Sequence, residues 1–202
     1  MKQILLSVVI IIGLGITKIN AQSATGGLKL EANTSNFIIS NMDSRNSKLG
    51  LGVTFGGFGI IEFTDNFAFR PELLLHYKNS ITENKIGGDD ADYRYFGIEI
   101  PLYAIAQFDV GNGTVFAGLG PYVSIGIDAR YKTDRMPNAK LYDYSIMQRW
   151  DVGAGILLGY EFANKLQINS AYKIGFIDAL DTGRKTATML NQAISLGLAF
   201  RF

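Results

Sequence analysis

Cysteine is missing from the 202 residues, and proline occurs only four times. Without thiols there is no disulfide framework, no cysteine-ligated zinc, no iron–sulfur cluster and no lipidated cysteine anchor. Neither sign of charge prevails, with 19 basic and 18 acidic residues, so the chain offers no strongly basic face for nucleic acid. Long apolar runs are also lacking. The longest, Ile4 to Ile16, falls short of the roughly 20 residues that a membrane-spanning helix needs.

That run has a different meaning. Met1-Lys2 gives it a positive start, and Thr17 to Ala21 leads from it into polar sequence. A charged start, a short apolar stretch and a small residue at the exit are the parts of a secretory signal peptide. Residues 1–21 are expected to be the signal, cleaved after Ala21, and residues 22–202 a single exported domain. An uncleaved N-terminal anchor is the alternative. Removing the signal takes away two lysines and no acid, which turns the formal charge of +1 into about −1.

What is abundant is glycine, at 23 residues, together with Phe and Tyr. The glycines show no Gly-X-Y period, which excludes collagen. The aromatics favour strands, and the rest of the chain alternates with period two, as strands with two unlike faces do. From Arg94 to Phe108, residues Phe96, Ile98, Ile100, Leu102, Ala104, Ala106 and Phe108 share one face. Tyr95, Gly97, Glu99, Pro101, Tyr103 and Gln107 share the other. Similar alternation surrounds Leu51, Leu73, Leu119, Ile156, Ile168 and Leu196, and a weaker first strand runs from about Gly26 to Ser35. Eight strands result, an even number that suits a closed antiparallel barrel.

The connections alternate in length. Thr64 to Asn66, Val110 to Gly113 and Ala163 to Lys165 are short turns rich in Asn, Asp and Gly. Ile38 to Lys48, Asn79 to Asp92, Tyr131 to Ile146 and Asp178 to Thr188 are longer and polar. Short turns at one end and long loops at the other is the outer-membrane arrangement. The expected fold is all-β: an eight-stranded antiparallel up-and-down transmembrane β-barrel, with turns and termini in the periplasm and its wall against outer-membrane lipid. A soluble lipocalin-like ligand carrier has the same alternation with its apolar face inward. Against it, the second face here is rich in Gly, Ala and Ser, which fit a narrow interior. A soluble exterior would be dense in Lys and Glu. Phe63, Phe67, Phe108, Phe162, Phe200 and Phe202 near the turns, and Tyr77, Tyr93, Tyr131 and Trp150 near the loops, are placed to form two interfacial girdles.

Several stretches together resemble the PorT-like outer-membrane β-barrel domain family. They are Arg70-Pro71-Glu72-Leu73-Leu74, Ile98-Glu99-Ile100-Pro101-Leu102, Gly120-Pro121-Tyr122, Gly159-Tyr160-Glu161-Phe162 and the terminal Phe202. The resemblance spans about Gly26 to Phe202. It implies an eight-stranded outer-membrane barrel and, through the strand ending in Phe202, a signal read by the barrel-insertion machinery. It implies no particular activity and no cofactor.

Parity places Lys29, Arg70, Arg130, Arg149, Lys173 and Arg201 inside the barrel, with Glu31, Glu62, Glu72, Glu99, Asp128, Asp151 and Glu161. Unpaired charges in so narrow a space are costly. A charge network is therefore expected, centred on Arg70, Glu72, Glu99, Arg149 and Asp151 and plugging the lumen. The function that follows is a non-enzymatic one, structural or exercised by the outer loops on an unnamed partner. Tyr131, Arg135, Tyr142 and Tyr144 are the contact candidates. A small-solute channel is the alternative if a wet path passes the charges. A hydrolase would need His76, the lone histidine, as its base, and no Ser-His-acid spacing accompanies it. Asp89, Asp90 and Asp92 could bind calcium only outside an EF-hand pattern.

Overall fold

The computed structural model describes residues 23–40, 45–84, 91–132, 139–142, 147–179 and 188–202. The expected signal peptide and the loop candidates Arg135 and Tyr144, like Asp89 and Asp90, lie outside the described residues.

Alternation becomes strands. β1 (Ser23–Ser40), β2 (Arg45–Thr64), β3 (Phe67–Asn84), β4 (Ala91–Val110) and β5 (Gly113–Lys132) form a continuous antiparallel meander. β6 (Ala139–Lys140) is a two-residue addition to β5. β7 (Trp150–Glu161), β8 (Leu166–Asp178) and β9 (Thr188–Arg201) complete the circuit. β9 pairs with β1 from Gly27↔Arg201 to Ser40↔Thr188, so the eight long strands close into a barrel.

The turns follow the residue chemistry. Gly111 adopts φ 64° in the β4–β5 turn, and Lys165 reaches φ 68° between β7 and β8. Thr64 Oγ1 accepts from the Phe67 amide at 3.0 Å in the turn between β2 and β3. At the other end β2, β4 and β5 each run for 20 residues, about twice what a tilted strand needs to span a bilayer. The wall therefore continues past the membrane on the loop side.

The outside of the wall is apolar: Leu51, Leu119, Leu196 and Phe176 are each more than 60% exposed. The inside is polar, with Lys29, Glu31, Arg70, Glu72 and Glu99 at 2% or less. That is the reverse of a soluble barrel, and such an apolar exterior in water would be an aggregation surface. The lipocalin-like arrangement is thereby corrected. Phe63, Phe67, Phe108, Phe162, Phe200 and Phe202 are exposed round the short-turn end, and Tyr77 and Trp150 round the loop end. Tyr93 leaves the outer girdle, because it packs edge-on against the buried Phe37 at 5.7 Å.

Candidate functional site

The lumen is filled in layers. Toward the short turns, Phe58, Ile60, Ala68, Tyr103, Ile105, Phe116, Leu157, Ala171 and Ala199 form one apolar cluster. Nearest the loops, Phe37, Tyr95, Ala129, Leu141, Met147, Ala179 and Met189 form a second. Leu141, Met147 and Ala179 belong to the connections, so these segments fold down over the outer mouth.

Between the clusters lie the charges, supplied by alternate residues of β1, β3, β4 and β8. Lys29 Nζ meets Glu31 Oε1 at 2.8 Å and Glu72 Oε2 at 3.1 Å. Arg70 Nε donates to Glu72 Oε1 at 2.8 Å. Glu99 takes Lys78 on Oε2 at 2.9 Å and Lys173 on Oε1. Each carboxylate is buried and lies against an ammonium or guanidinium group, the pairing that offsets the cost of charge in so dry a space.

The polar contacts then descend to the inner mouth. Arg70 Nη1 donates to Gln167 Oε1 at 2.9 Å, and Gln167 Nε2 donates to Glu161 Oε2 at 2.7 Å. Arg201 bridges Glu161 at 2.8 Å and Glu62 at 2.9 Å, and Ser23 Oγ donates to Glu62. A cavity of about 340 Å³ opens there, lined by Ile60, Arg70, Ile105, Phe116 and Arg201 among others.

Arg70 and Glu72 are thus in direct contact, and Glu99 lies in the same buried layer. Asp151 accepts from Tyr122 Oη and from Asn191 Nδ2, each at 3.0 Å. Arg149 is not in the lumen. It precedes β7, is exposed, and stacks 4.9 Å over the ring of Tyr142. Alternation of faces holds only within a strand, and Arg149 lies one residue before β7 begins.

Arg130 and Asp128 are also corrected. Phe96 pairs with Asp128, but Gly97 pairs with Gly126, so Ile127 is an extra residue in β5. The bulge reverses the face of everything beyond it. Ala129 becomes buried, while Asp128 and Arg130 point outward and pair with each other at 2.8 Å.

Tyr142 packs so closely against Gly126 that a Cβ there would lie 1.8 Å from its hydroxyl. Burial pushes the Tyr142 hydroxyl up to about 12, so it is protonated at neutral pH. Tyr131 is the penultimate residue of β5 and pairs with Tyr93 and Ala139.

Lys78 and the apolar pair Phe58 and Phe116 escaped the sequence reading of the plug. Lys78 was legible from parity two residues beyond His76. Phe58 and Phe116 were hidden among apolar neighbours. His76 is buried with its ring edge-on to Tyr95 at 6.1 Å. Its Nδ1 has no hydrogen-bond partner among the described residues. Among those residues no three His, Asp or Glu side chains are grouped to hold a metal ion.

OprG of Pseudomonas aeruginosa superposes with TM-score 0.50 at 11% identity, over 89% of this chain and 96% of its own. Ail of Yersinia pestis gives 0.47 at 13%, over 89% and 99%. Neisserial surface protein A gives 0.45 at 16%, again over 89% and 99%. At such identities the likeness is one of fold. A search of functionally curated proteins found no match. The sequence model of the outer membrane protein beta-barrel domain matches residues 20–181, most of the chain. With the closed eight-stranded barrel and its apolar exterior, that match shows that the chain belongs to the outer membrane protein beta-barrel domain family.

Proposed function

We propose that the protein is a non-enzymatic, PorT-like outer-membrane barrel with a closed lumen, serving as a rigid mount for what its outer connections contact. The observation that carries this reading is the layered filling of the lumen, with charged side chains between two apolar clusters. An ion crossing it would have to displace Arg70 from Glu72 and both lysines from Glu99, and then pass between aromatic rings. Dismantling buried pairs of this kind costs several kcal/mol each, on the order of 3–5. Such a barrier is prohibitive for a conducting path.

The lone histidine supports the non-enzymatic half of the reading. It is buried against Tyr95. Binding is then left to the outer end, where rigid scaffolds commonly carry function. Tyr131, Arg135, Tyr142 and Tyr144 are proposed to contribute, alongside an N-terminal export signal and recognition of β9 and the following Phe202 by the insertion machinery.

The test is a planar-bilayer recording of the purified, refolded barrel. A silent bilayer containing heat-modifiable protein is the expected result. Steady unitary conductance in simple salt would sink the closed-lumen reading. It would favour the second one, a small-solute channel, for which the inner-mouth cavity and the polar midsection speak.

A further inference from the structure

Glu31, Glu62, Glu72, Glu99 and Glu161 each hold a cation inside the barrel. Asp151, the second residue of β7, holds none among the described residues. The ammonium groups of Lys78 and Lys173 are both committed to Glu99. Asp151 accepts instead from two neutral donors on one oxygen, because Tyr122 Oη and Asn191 Nδ2 each reach Oδ2 at 3.0 Å. Its Oδ1 is buried and has no hydrogen-bond partner among the described residues.

Missing side chains make room for this arrangement. Asn191 belongs to β9, and β8 lies between β9 and β7. Asp151 crosses β8 at Gly175, where a Cβ would lie 2.6 Å from Oδ1. Tyr122 crosses onto Gly153 in the same way, and a Cβ there would lie 2.6 Å from its Cε1. Tyr95 Oη of β4 reaches the Oδ1 of Asn191 at 3.5 Å. Side chains of β4, β5, β7 and β9 thus meet in one hydrogen-bonded chain. They meet where the backbone no longer ties β7 to β8. That ladder stops at Gly153↔Gly175, and the β8–β9 register slips between Ile174 and Asp178. β7 begins at Trp150 and β8 runs on to Asp178, so the outer end of the β7–β8 seam is held by the Asp151 contacts rather than by paired backbone.

A buried charge without a counter-ion is costly, whereas a neutral acid is not. Protonated Asp151 keeps both bonds to Oδ2 and sheds the lone charge. We propose that Asp151 is a proton-operated clasp: with its proton it closes the outer end of the β7–β8 seam, and without the proton the seam loosens. The charged and titratable groups around it are Lys78 from β3, Tyr95 and Glu99 from β4, Tyr122 from β5 and Tyr142 from the connection before β7. Behind them His76 packs on Tyr95, Lys173 of β8 holds Glu99, and Arg149 is turned outward onto Tyr142. Lys78 and Glu99 are paired with each other at 2.9 Å, and tyrosines are uncharged at neutral pH. Asp151 is therefore the group whose charge has no local answer. A proton that favours the closed form makes stability fall as pH rises.

Heat-modifiability of the purified, refolded barrel, followed from about pH 5 to about pH 9, tests the clasp. Wild type should lose its compact gel form about 4 °C lower at the alkaline end. Emission of Trp150, the chain neighbour of Asp151, should change over the same interval at a temperature where the barrel stays compact. Asp151→Asn copies the neutral acid, so it should hold the acid-end midpoint at every pH and keep the Trp150 signal constant. Tyr122→Phe removes a donor that bonds a carboxylate more strongly than a neutral acid, so its transition should move to higher pH. That variant carries the test if Asp151→Asn does not fold. His76→Gln should leave the transition in place. A flat wild-type profile, a transition that persists in folded Asp151→Asn or stays unmoved in Tyr122→Phe, or one that disappears in His76→Gln overturns the proposal. A wild-type transition that shifts when sodium is replaced by choline at fixed pH would mean that a metal cation neutralises Asp151, and it overturns the proton.

Discussion

The guanidinium carbon of Arg70 lies 3.9 Å from the centroid of the Phe58 ring. One side chain therefore ends the inner apolar layer and begins the charged one. Its flat face rests on Phe58, and its edge donates to Glu72 and Gln167. A lysine could supply the charge but not both contacts at once. The lumen is held by such junctions, which makes its energetics separable by mutation.

The two central carboxylates should not be equivalent. Glu72→Gln leaves Lys29 on Glu31 and Arg70 on Gln167. Glu99→Gln removes the carboxylate shared by Lys78 and Lys173 and leaves two buried ammonium groups facing a neutral amide. Loss of one partner of a buried pair costs about 3–5 kcal/mol, and Glu99→Gln is expected at or above that range with Glu72→Gln well below it. Urea unfolding in lipid vesicles measures both. Equal midpoints would mean that the charges act as one delocalised cluster.

Much of this was legible from residues, and the failures have physical reasons. Period two survives where one face meets lipid and the other meets polar partners, so the strands around Leu73 and Leu196 were readable. It vanishes where both faces are apolar. Leu157 is buried between the exposed Ile156 and Leu158, and such a triplet carries no parity. Phe116, between Val115 and Ala117, is another case, which is why the inner apolar layer was not foreseen. β1 was read from Gly26 to Ser35 but runs from Ser23 to Ser40, because its outer end passes polar residues such as Asn36 above the apolar band. The bulge at Ile127 leaves no mark in composition. It displaced Asp128 and Arg130 from the expected network and placed them on the outer wall.

Glycine packing offers a paired test. A Cβ on Gly120 would sit 1.8 Å from the carbonyl oxygen of Leu102 and 3.0 Å from Tyr103 Cα, both backbone atoms that cannot swing away. A Cβ on Gly57 meets nothing closer than 3.5 Å. Overpacking costs typically about 1–3 kcal/mol, so Gly120→Ala should lower the temperature at which the compact gel form is lost. Gly57→Ala should fall within about 0.5 kcal/mol of wild type. A neutral Gly120→Ala would show that β4 and β5 can separate there without cost.

The inner apolar layer makes a prediction about conduction. Phe58 and Phe116 are both buried and both lie against the Arg70 guanidinium. Replacing both with alanine should extend the inner-mouth cavity upward to the charged layer. The double variant is expected to show flickering ion currents in a bilayer where the wild type is silent. Continued silence in a folded double variant would place the seal higher, among Phe37, Tyr95 and Met189.

Trp150, the single tryptophan, begins β7 and is 45% exposed on the outside of the wall. Its neighbour across the ladder is Ile125, five residues below Arg130 on β5. An indole at this level belongs at the bilayer interface, where its ring is buried and its N–H reaches polar groups. In reconstituted vesicles its emission should be quenched by lipids brominated near the headgroup, and less by lipids brominated near the chain ends. Aqueous iodide should quench it weakly. Strong iodide quenching with no lipid quenching would lift Trp150 clear of the membrane and place the apolar band lower on the wall, toward the short turns.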